Sequence, residues 1–153
     1  VMDVSGAYAQ VIAELDADKE IKVLYTRGDG IISREEKSEA GESSYNFYLS
    51  DGHGDVRQLT DENGVVTDSY SYNSFGELKE SQGETDNPYL YTGEYYDEGT
   101  GLYYLRARYM NPETGTFTSM DTYRGNAYDP ASLHRYTYAQ NNPQMFSMLF
   151  FTL

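Results

Sequence analysis

Apolar and polar residues alternate along most of the chain. The side chains at every second position of such a segment share one face of a strand, and this period of two is typical of half-buried β-strands. The groups that follow it are Ile21, Val23 and Tyr25; Tyr45, Phe47 and Leu49; Val66 and Tyr70; and Tyr103, Leu105, Ala107 and Tyr109. The pattern therefore predicts an all-β fold.

Short turns that combine Asp or Asn with Gly separate these strands. The acid or amide can hydrogen-bond its own turn, and the glycine can adopt a positive φ. The predicted turn glycines are Gly54, Gly64, Gly76, Gly101 and Gly115. An apolar residue follows each glycine closely and an aromatic residue precedes most of the turns. Such repetition predicts tandem, stacked β-hairpins, although an ordinary β-meander with well-formed turns shows the same pattern.

Helix signals are weak. Residues 33–40, SREEKSEA, are predicted as a polar loop at the tip of a hairpin. A single helical turn is predicted at 129–134, where Asp129 could cap the turn and Pro130 suits its first position.

The stretch from 94 to 121 predicts two further hairpins. In this interpretation the turn at 97–101 leads into one continuous strand, LYYLRARY, and the next turn leads into the strand TFTSMD. On the continuous strand, Arg106 and Arg108 would share a face with Tyr104, opposite Tyr103. Cross-strand pairs formed by Tyr103, Tyr104 and Tyr109 would supply lateral packing on the sheet, worth about 0.2–1 kcal/mol each.

Composition narrows the classes of function. The 25 acidic and 11 basic residues give a net charge of −14, which predicts no nucleic-acid partner, because phosphates would be repelled, and suits either solubility or a cationic partner. There is no cysteine for disulfides or thiolate metal sites. The chain begins with Val1 and shows no signal peptide, so we expect it to be part of something longer. No membrane span is predicted, because the one strongly apolar window, MFSMLFFTL, is too short.

Two longer motifs carry a family resemblance. Residues 91–125, YTGEYYDEGTGLYYLRARYMNPETGTFTSMDTYRG, continued by DPASLHRYTYAQNNP, closely resemble the RHS repeat-associated core. Residues 48–78, YLSDGHGDVRQLTDENGVVTDSYSYNSFGEL, are similar to YD repeats. The form with DTYRG and DPASLH is similar to wall-associated RHS proteins of Gram-positive bacteria, a polymorphic toxin family.

This resemblance implies a curved antiparallel sheet of tandem β-hairpins, one layer thick, that forms the C-terminal part of a β-spiral shell. The shell houses a toxin, and a core that spirals inward plugs one end. The implied division is YD-repeat-like hairpins over 1–90, the core over 91–146 and a non-matching apolar tail over 147–153. The implied partners are the preceding YD repeats of the same chain and a toxin cargo or a cell-surface carbohydrate. The implied location is secreted or cell-wall associated, and no cofactor is expected. The tail could be a decayed gene end, a boundary of the sequence or a final strand.

The resemblance also implies one reaction, aspartyl autoproteolysis that frees the toxin. It needs two neighbouring carboxyl groups, one protonated and one ionised. Asp121 matches the first DPxG-type motif, with Thr122 in place of proline and glycine one residue later. Met148 stands where the second aspartate is expected, and Asp129 could substitute for it. We expect a non-catalytic structural segment; an autoprotease and a carbohydrate-binding module are the alternatives.

Other polar groups allow two interpretations each. Asp51, His53 and Asp55 could hold a divalent ion or form a polar hairpin turn, and the turn is favoured, so no metal site is predicted. Arg106 and Arg108 could orient Asp121 or contact a cargo; alternatively they neutralise an acidic sheet and join neighbouring strands, which we favour. Arg124 is assigned the same supporting role.

Overall fold

The computed structural model describes residues 1–3, 9–38 and 40–145. Within these ranges there is no α-helix, and no helix long and apolar enough to cross a membrane. The prediction of an all-β antiparallel fold is confirmed. The strands are β1 Met2–Asp3, β2 Gln10–Val11, β3 Ala13–Leu15, β4 Ile21–Arg27, β5 Ile31–Lys37, β6 Ser43–Ser50, β7 Val56–Thr60, β8 Val66–Tyr72, β9 Leu78–Gln82, β10 Tyr95–Asp97, β11 Leu102–Leu105, β12 Arg108–Asn111 and β13 Thr116–Phe117. Short 3₁₀ turns span Tyr91–Gly93, Pro130–Leu133 and Tyr138–Asn141.

The largest unit is a seven-stranded sheet in which β3 to β9 follow one another in chain order. Every neighbouring pair is therefore an antiparallel hairpin. Five of its six pairings contain a register shift. Such bulges bend the strand that carries them and increase its twist. The sheet is thus built to curve.

One turn geometry recurs at five hairpins, which begin at Asp16, Ser38, Asp51, Asp61 and Asn73. In each, the backbone N–H of the first residue donates to the carbonyl of the fifth, and the N–H of the fourth donates to the carbonyl of the first. The fourth residue has a positive φ; it is glycine in four turns and Lys19, at 68°, in the first. The acidic stretch at 16–20 is therefore a fifth hairpin turn, although it lacks the glycine signal.

The inner face of the seven-stranded sheet is covered by residues 83–94, which we call the strap. The ring of Tyr89 packs edge-to-face on Tyr25, with centroids 5.0 Å apart, and Val56 N–H donates to the carbonyl of Leu90 over 3.0 Å. Buried Tyr48 and Leu59 complete this part of the core. The prediction of a sheet only one layer thick is wrong, because the chain folds back over its own sheet.

Buried polar groups of the inner face bind the strap. Asp68, 2% exposed, accepts hydrogen bonds from the backbone N–H and the hydroxyl of Thr85, over 3.0 and 2.6 Å. Arg34, 1% exposed, donates to the carbonyl of Asp86 over 2.7 Å. The hydroxyl of Tyr48 donates to Asn87 Oδ1 over 2.9 Å. Since unpaired buried polar groups are costly, these bonds fix the position of the strap on the sheet.

Replacing Thr85 with valine tests this attachment. The substitution keeps the shape of the side chain but removes one donor from a buried carboxylate, so we expect the free energy of unfolding to fall by about 1–3 kcal/mol. Thr114→Val is the matched control, because its hydroxyl pairs with Thr116 on the exposed surface; we expect a change within about 0.5 kcal/mol. Urea denaturation measures both, and equal losses would contradict the proposed role of Asp68.

The second sheet has four strands in the order β10-β11-β12-β13. One face is buried: Tyr103, Leu105 and Met110 are 0% exposed and pack in a cluster with Tyr91 of the strap and Tyr138. The strap therefore lies between the two sheets and contributes to both parts of the core.

The predicted strand LYYLRARY is wrong, because it is a hairpin. Leu105 pairs with Arg108, and the chain reverses at Arg106, which has a φ of 60°. The N–H of Ala107 donates to the carbonyl of Leu105 over 2.6 Å, the bond of a γ-turn. Arg106 and Arg108 accordingly do not share a strand face with Tyr104.

Two further elements differ from their predictions. Most of 33–40 belongs to strand β5, and the turn lies at 38–42. Only Thr116–Phe117 of TFTSMD forms a strand, because the backbone of Phe117 and Asp121 then bonds to residues 135–136. The helical turn at 129–134 is present as the 3₁₀ turn Pro130–Leu133, with proline at its start and no cap from the Asp129 side chain.

Candidate functional site

Asp121 lies where the chain leaves β13, and an arginine holds its carboxylate. Arg108 Nη2 is 2.6 Å from Oδ2, and the N–H of Tyr123 donates to Oδ1 over 2.8 Å. The Arg135 side chain donates to the Asp121 carbonyl. The Arg108 guanidinium also stacks 3.6 Å from the ring centre of Phe117. Burial lowers the pKa of Arg108 and the Asp121 carboxylate opposes that shift, so the two form an ion pair at the edge of the core.

The arrangement around Asp121 is not that of a carboxyl dyad. Within the described part of the chain, no carboxyl group is among its hydrogen-bond or ion-pair partners. Asp129 directly precedes the 3₁₀ turn Pro130–Leu133, and it forms no hydrogen bond with Asp121. Met148 and the tail 147–153 lie outside the described residues. A dyad works because two carboxyl groups share one proton, whereas the charged partner of Asp121 is the guanidinium of Arg108.

Arg106 and Arg124 occupy other surroundings. Arg106 Nη2 lies 2.9 Å from Glu94 Oε1, and its Nε donates to the same oxygen over 3.0 Å. Burial raises the pKa of Glu94, and Arg106 opposes this rise. Arg124 is exposed in the irregular segment that follows Asp121. The three arginines that the sequence analysis grouped therefore lie in different surroundings: Arg106 pairs with Glu94, Arg108 pairs with Asp121, and Arg124 is exposed.

The cluster Asp51, His53 and Asp55 forms a turn that reaches the strap. Asp51 Oδ1 accepts the N–H groups of His53 and Asp55, and His53 Nδ1 lies 2.9 Å from Asp55 Oδ1. Arg57 donates to Asp51 over 2.7 Å, and the N–H of Thr92 donates to Asp55 over 3.0 Å. Burial alone would raise the pKa of Asp51, but these hydrogen bonds lower it.

The carboxylates and the imidazole of this cluster thus bond one another, an arginine and the strap. They line a polar cavity of about 250 Å³. The geometry is that of a hairpin turn joined to the strap, which agrees with the favoured interpretation of DGHGD.

The tyrosines do more than pair across strands. Cross-strand pairs exist, such as Tyr104 with Tyr109 at 5.1 Å between ring centres. However, Tyr91 packs at 5.9–6.3 Å against Tyr72, Tyr103 and Tyr138, which belong to three other elements. The rings mainly join the layers rather than stabilise a single one.

Sequence reasoning missed the groups that bind the strap. Arg34 lies in the polar stretch that predicted a loop, Asp68 lies in the YD-repeat-like stretch 48–78 without any sign of its buried role, and Thr85 belongs to no recognisable motif. Their partners are distant in sequence: Arg34 and Asp86 are 52 residues apart. No local signal in the sequence marks such a pair.

Comparison with known proteins decides the family. Residues 17–144 match the Teneurin YD-shell family. The chain belongs to this family. The resemblance to RHS and YD-repeat proteins is thereby confirmed, and the YD-shell segment described above extends from the turn before β4 to just beyond the last 3₁₀ turn.

Similar proteins include a nuclease and a toxin that are both much longer than this chain. The chain is 37% identical over 143 residues to the tRNA3(Ser)-specific nuclease WapA of Bacillus spizizenii, which covers 92% of this chain and 6% of that protein. It is 32% identical over 106 residues to the toxin protein Tse5 of Pseudomonas aeruginosa, covering 69% of this chain and 8% of that protein. The segment thus spans less than a tenth of these relatives.

A solved structure shows the same fold. The crystal structure of TcdB2-TccC3-Cdc42 superposes with a TM-score of 0.72 at 20% identity, over 95% of this chain and 8% of that chain. At this identity the likeness concerns the fold alone. It places the two sheets and the strap of the YD-shell segment in an architecture already seen in a much longer chain.

Proposed function

We propose that this YD-shell segment is a structural part of a shell that encloses and delivers a toxin in bacterial competition, and that it performs no chemistry itself. The observation that carries the proposal is the strap, which closes the inner face of a consecutive hairpin sheet with the chain's own residues. The seven-stranded sheet of such a segment could extend the sheet formed by preceding repeats, while the strap covers its inner face.

The comparisons support the context. Relatives whose names describe a nuclease and a toxin contain this segment as a small share of their length. We propose YD-repeat-like hairpins over 1–90 and the core over 91–146, with the preceding YD repeats of the same protein and a toxin as partners. Secretion or cell-wall association is proposed on the same basis.

Electron microscopy of the longer protein that is proposed to contain this segment tests the shell. We expect a hollow particle with the segment at one end and the strap on the interior side of the seven-stranded sheet. An extended arrangement, or a segment that folds apart from the repeats, would overturn the proposal.

Replacing Asp121 with asparagine tests the absence of chemistry. Asparagine keeps an acceptor for the Tyr123 N–H and loses only the ion pair with Arg108, so we expect unfolding to change by at most about 1 kcal/mol. Intact mass of the longer protein should show one uncut chain with either residue.

Arg108→Met is the companion variant, because it removes the ion pair and leaves the carboxyl group in place. A fragment that is present with Asp121, and in the Arg108→Met variant, but is absent with asparagine would show that a second residue completes a catalytic pair. That result would replace the structural proposal with autoproteolysis.

A further inference from the structure

The face of the four-stranded sheet that is turned away from the core carries a row of tyrosines. Tyr95, Tyr104 and Tyr109 are cross-strand partners on β10, β11 and β12. Tyr95 and Tyr109 are 38% and 42% exposed, and Tyr104 is half-buried. We call these three residues the tyrosine row. Their neighbours in sequence, Tyr96 and Tyr103, point into the core, so the row lies on the opposite face of the sheet, where Tyr95 and Tyr109 remain exposed.

Carboxylates from three elements surround one end of the row. Asp97 lies two positions from Tyr95 on β10 and so shares its strand face, and Asp86 precedes Tyr89 by three residues in the strap. Glu14 of β3 accepts a hydrogen bond from Tyr25 over 2.7 Å, and Tyr25 packs on Tyr89, which packs on Tyr95. Burial, and after it the negative charge of these groups, raises the pKa of the Tyr95 hydroxyl. Asp86 is exposed and Glu14 and Asp97 are half-buried. These three carboxylates place negative charge at this end of the row.

A cavity of about 440 Å³ continues the row toward the seven-stranded sheet. Tyr95 and Tyr104 line it together with Arg27 and with the ion pair of Glu94 and Arg106. That ion pair neutralises one positive charge at the rim. The cavity gives the row a recessed end where a long side chain can be enclosed.

The molecule already uses the matching chemistry next to this surface. The guanidinium of Arg27 lies 4.5 Å from the ring centre of Tyr89, and Tyr89 packs edge-to-face on Tyr95 at 5.8 Å. Tyrosine faces attract guanidinium and ammonium groups, and nearby carboxylates strengthen that attraction. Tyr89, the ring that packs directly on the row, thus binds the guanidinium of Arg27 through a cation–π contact.

We propose that the tyrosine row and its three carboxylates bind a basic, arginine- or lysine-containing segment of the enclosed toxin. Charge complementarity selects this occupant: the chain has a net charge of −14, whereas proteins that act on nucleic acid present basic surfaces. One relative is named as a tRNA nuclease. The identity of the occupant as a toxin rests on the proposed function, but the preference for basic peptides does not.

Calorimetric titration of the 153-residue chain with short synthetic peptides tests the preference. The probes are an alternating arginine–glycine peptide and its glutamate–glycine and serine–glycine counterparts, at ionic strengths of about 0.01 and 0.15 M. We expect only the arginine peptide to bind, and more weakly at the higher ionic strength. Absence of binding at the lower ionic strength, or equal binding of the serine peptide, overturns the proposal.

Variants locate the site. Tyr109→Ser, and separately the pair Glu14→Gln and Asp97→Asn, should each weaken binding by about 5-fold. The amides keep the acceptors that Tyr25 and the turn at 97–101 require. Tyr128→Ser and Glu62→Gln are matched controls, because Tyr128 is 96% exposed in another segment and Glu62 lies in the turn after β7, four strands from β3.

We expect both controls to bind the arginine peptide as the unaltered chain does. Equal weakening by test and control variants would indicate general attraction to an acidic chain and would overturn the assignment to the row. A hollow particle without peptide binding would leave the shell intact and remove only this inference. Peptide binding without a hollow particle would instead remove the toxin as occupant.

Discussion

Replacing Gly76 with alanine is expected to lower the free energy of unfolding by about 3 kcal/mol, whereas Gly64→Ala should cost only about 1 kcal/mol. Each glycine is the fourth residue of a turn with the same hydrogen-bond geometry, and the φ values are 87° and 77°. The conformational penalty of a side chain at positive φ is therefore the same. The surroundings differ: a Cβ at Gly76 would lie 2.6 Å from the ring of Tyr91, and a Cβ at Gly64 meets nothing within 4 Å.

The ring of Tyr91 cannot move aside easily. It is 1% exposed, it packs among three other tyrosines, and its hydroxyl donates to the carbonyl of Ser74 over 2.8 Å. Overpacking of a core in this way costs about 1–3 kcal/mol beyond the backbone strain.

Urea denaturation of Gly76→Ala, Gly64→Ala and Gly41→Ala measures this difference. Gly41 is a second control, because it has a φ of 80° and open space around it. Equal losses in all three variants would show that the strap does not press on the turn at 73–77, contrary to the packing described above.

Alkaline pH is expected to unfold the YD-shell segment steeply. Burial, as the first cause in each case, raises the pKa of Tyr25, Tyr48, Tyr91 and Tyr103. In the unfolded chain these phenols ionise near pH 10. Because the folded state disfavours ionisation of these phenols, the stability that the neutral phenols contribute is fully present below about pH 10 and is lost as the pH rises further. Four such groups reduce stability by about 5 kcal/mol for each further pH unit.

Phenolate absorbance and circular dichroism, followed together from neutral to alkaline pH, measure this effect. We expect the buried tyrosines to ionise in the same narrow transition in which the β-sheet signal disappears. Tyr103→Phe keeps the ring but lacks the ionisable group and the hydrogen bond to the Gly76 carbonyl. It should make the loss of stability with rising pH less steep. Full ionisation of the tyrosines with the sheet signal intact would contradict the burial of these rings.

The hairpins could be predicted from sequence because their information is local. A turn such as that at Asp61–Val65 is closed by the side chain of its first residue and the positive φ of Gly64, both within five residues. Alternation then sets which face of the next strand is buried. The turn at Asp16 shows the limit of this signal, because Lys19 takes the place of glycine there.

The hairpin at Arg106 could not be predicted in this way. No glycine, asparagine or proline marks it, and Arg106 adopts its φ of 60° where the pairing of Tyr103 with Met110 and the ion pair with Glu94 hold both arms. The pairing of Asp121 with Arg108 depends on that same hairpin. A different turn at this point would place Arg108 elsewhere. The wrong prediction of a continuous strand therefore also misplaced Arg108 relative to Asp121.

The position of the strap in the chain has a consequence for synthesis on the ribosome. Each hairpin from β3 to β9 can close as soon as its own residues emerge, because its partners are adjacent. The strap follows β9, and its contacts reach back to Arg34 and Tyr48, 52 and 39 residues earlier. Until residues 83–94 emerge, the apolar inner face of the nascent sheet is open to water and to neighbouring chains. Polypeptides released before the strap are therefore expected to aggregate or to be degraded, whereas those released after it can bury that face.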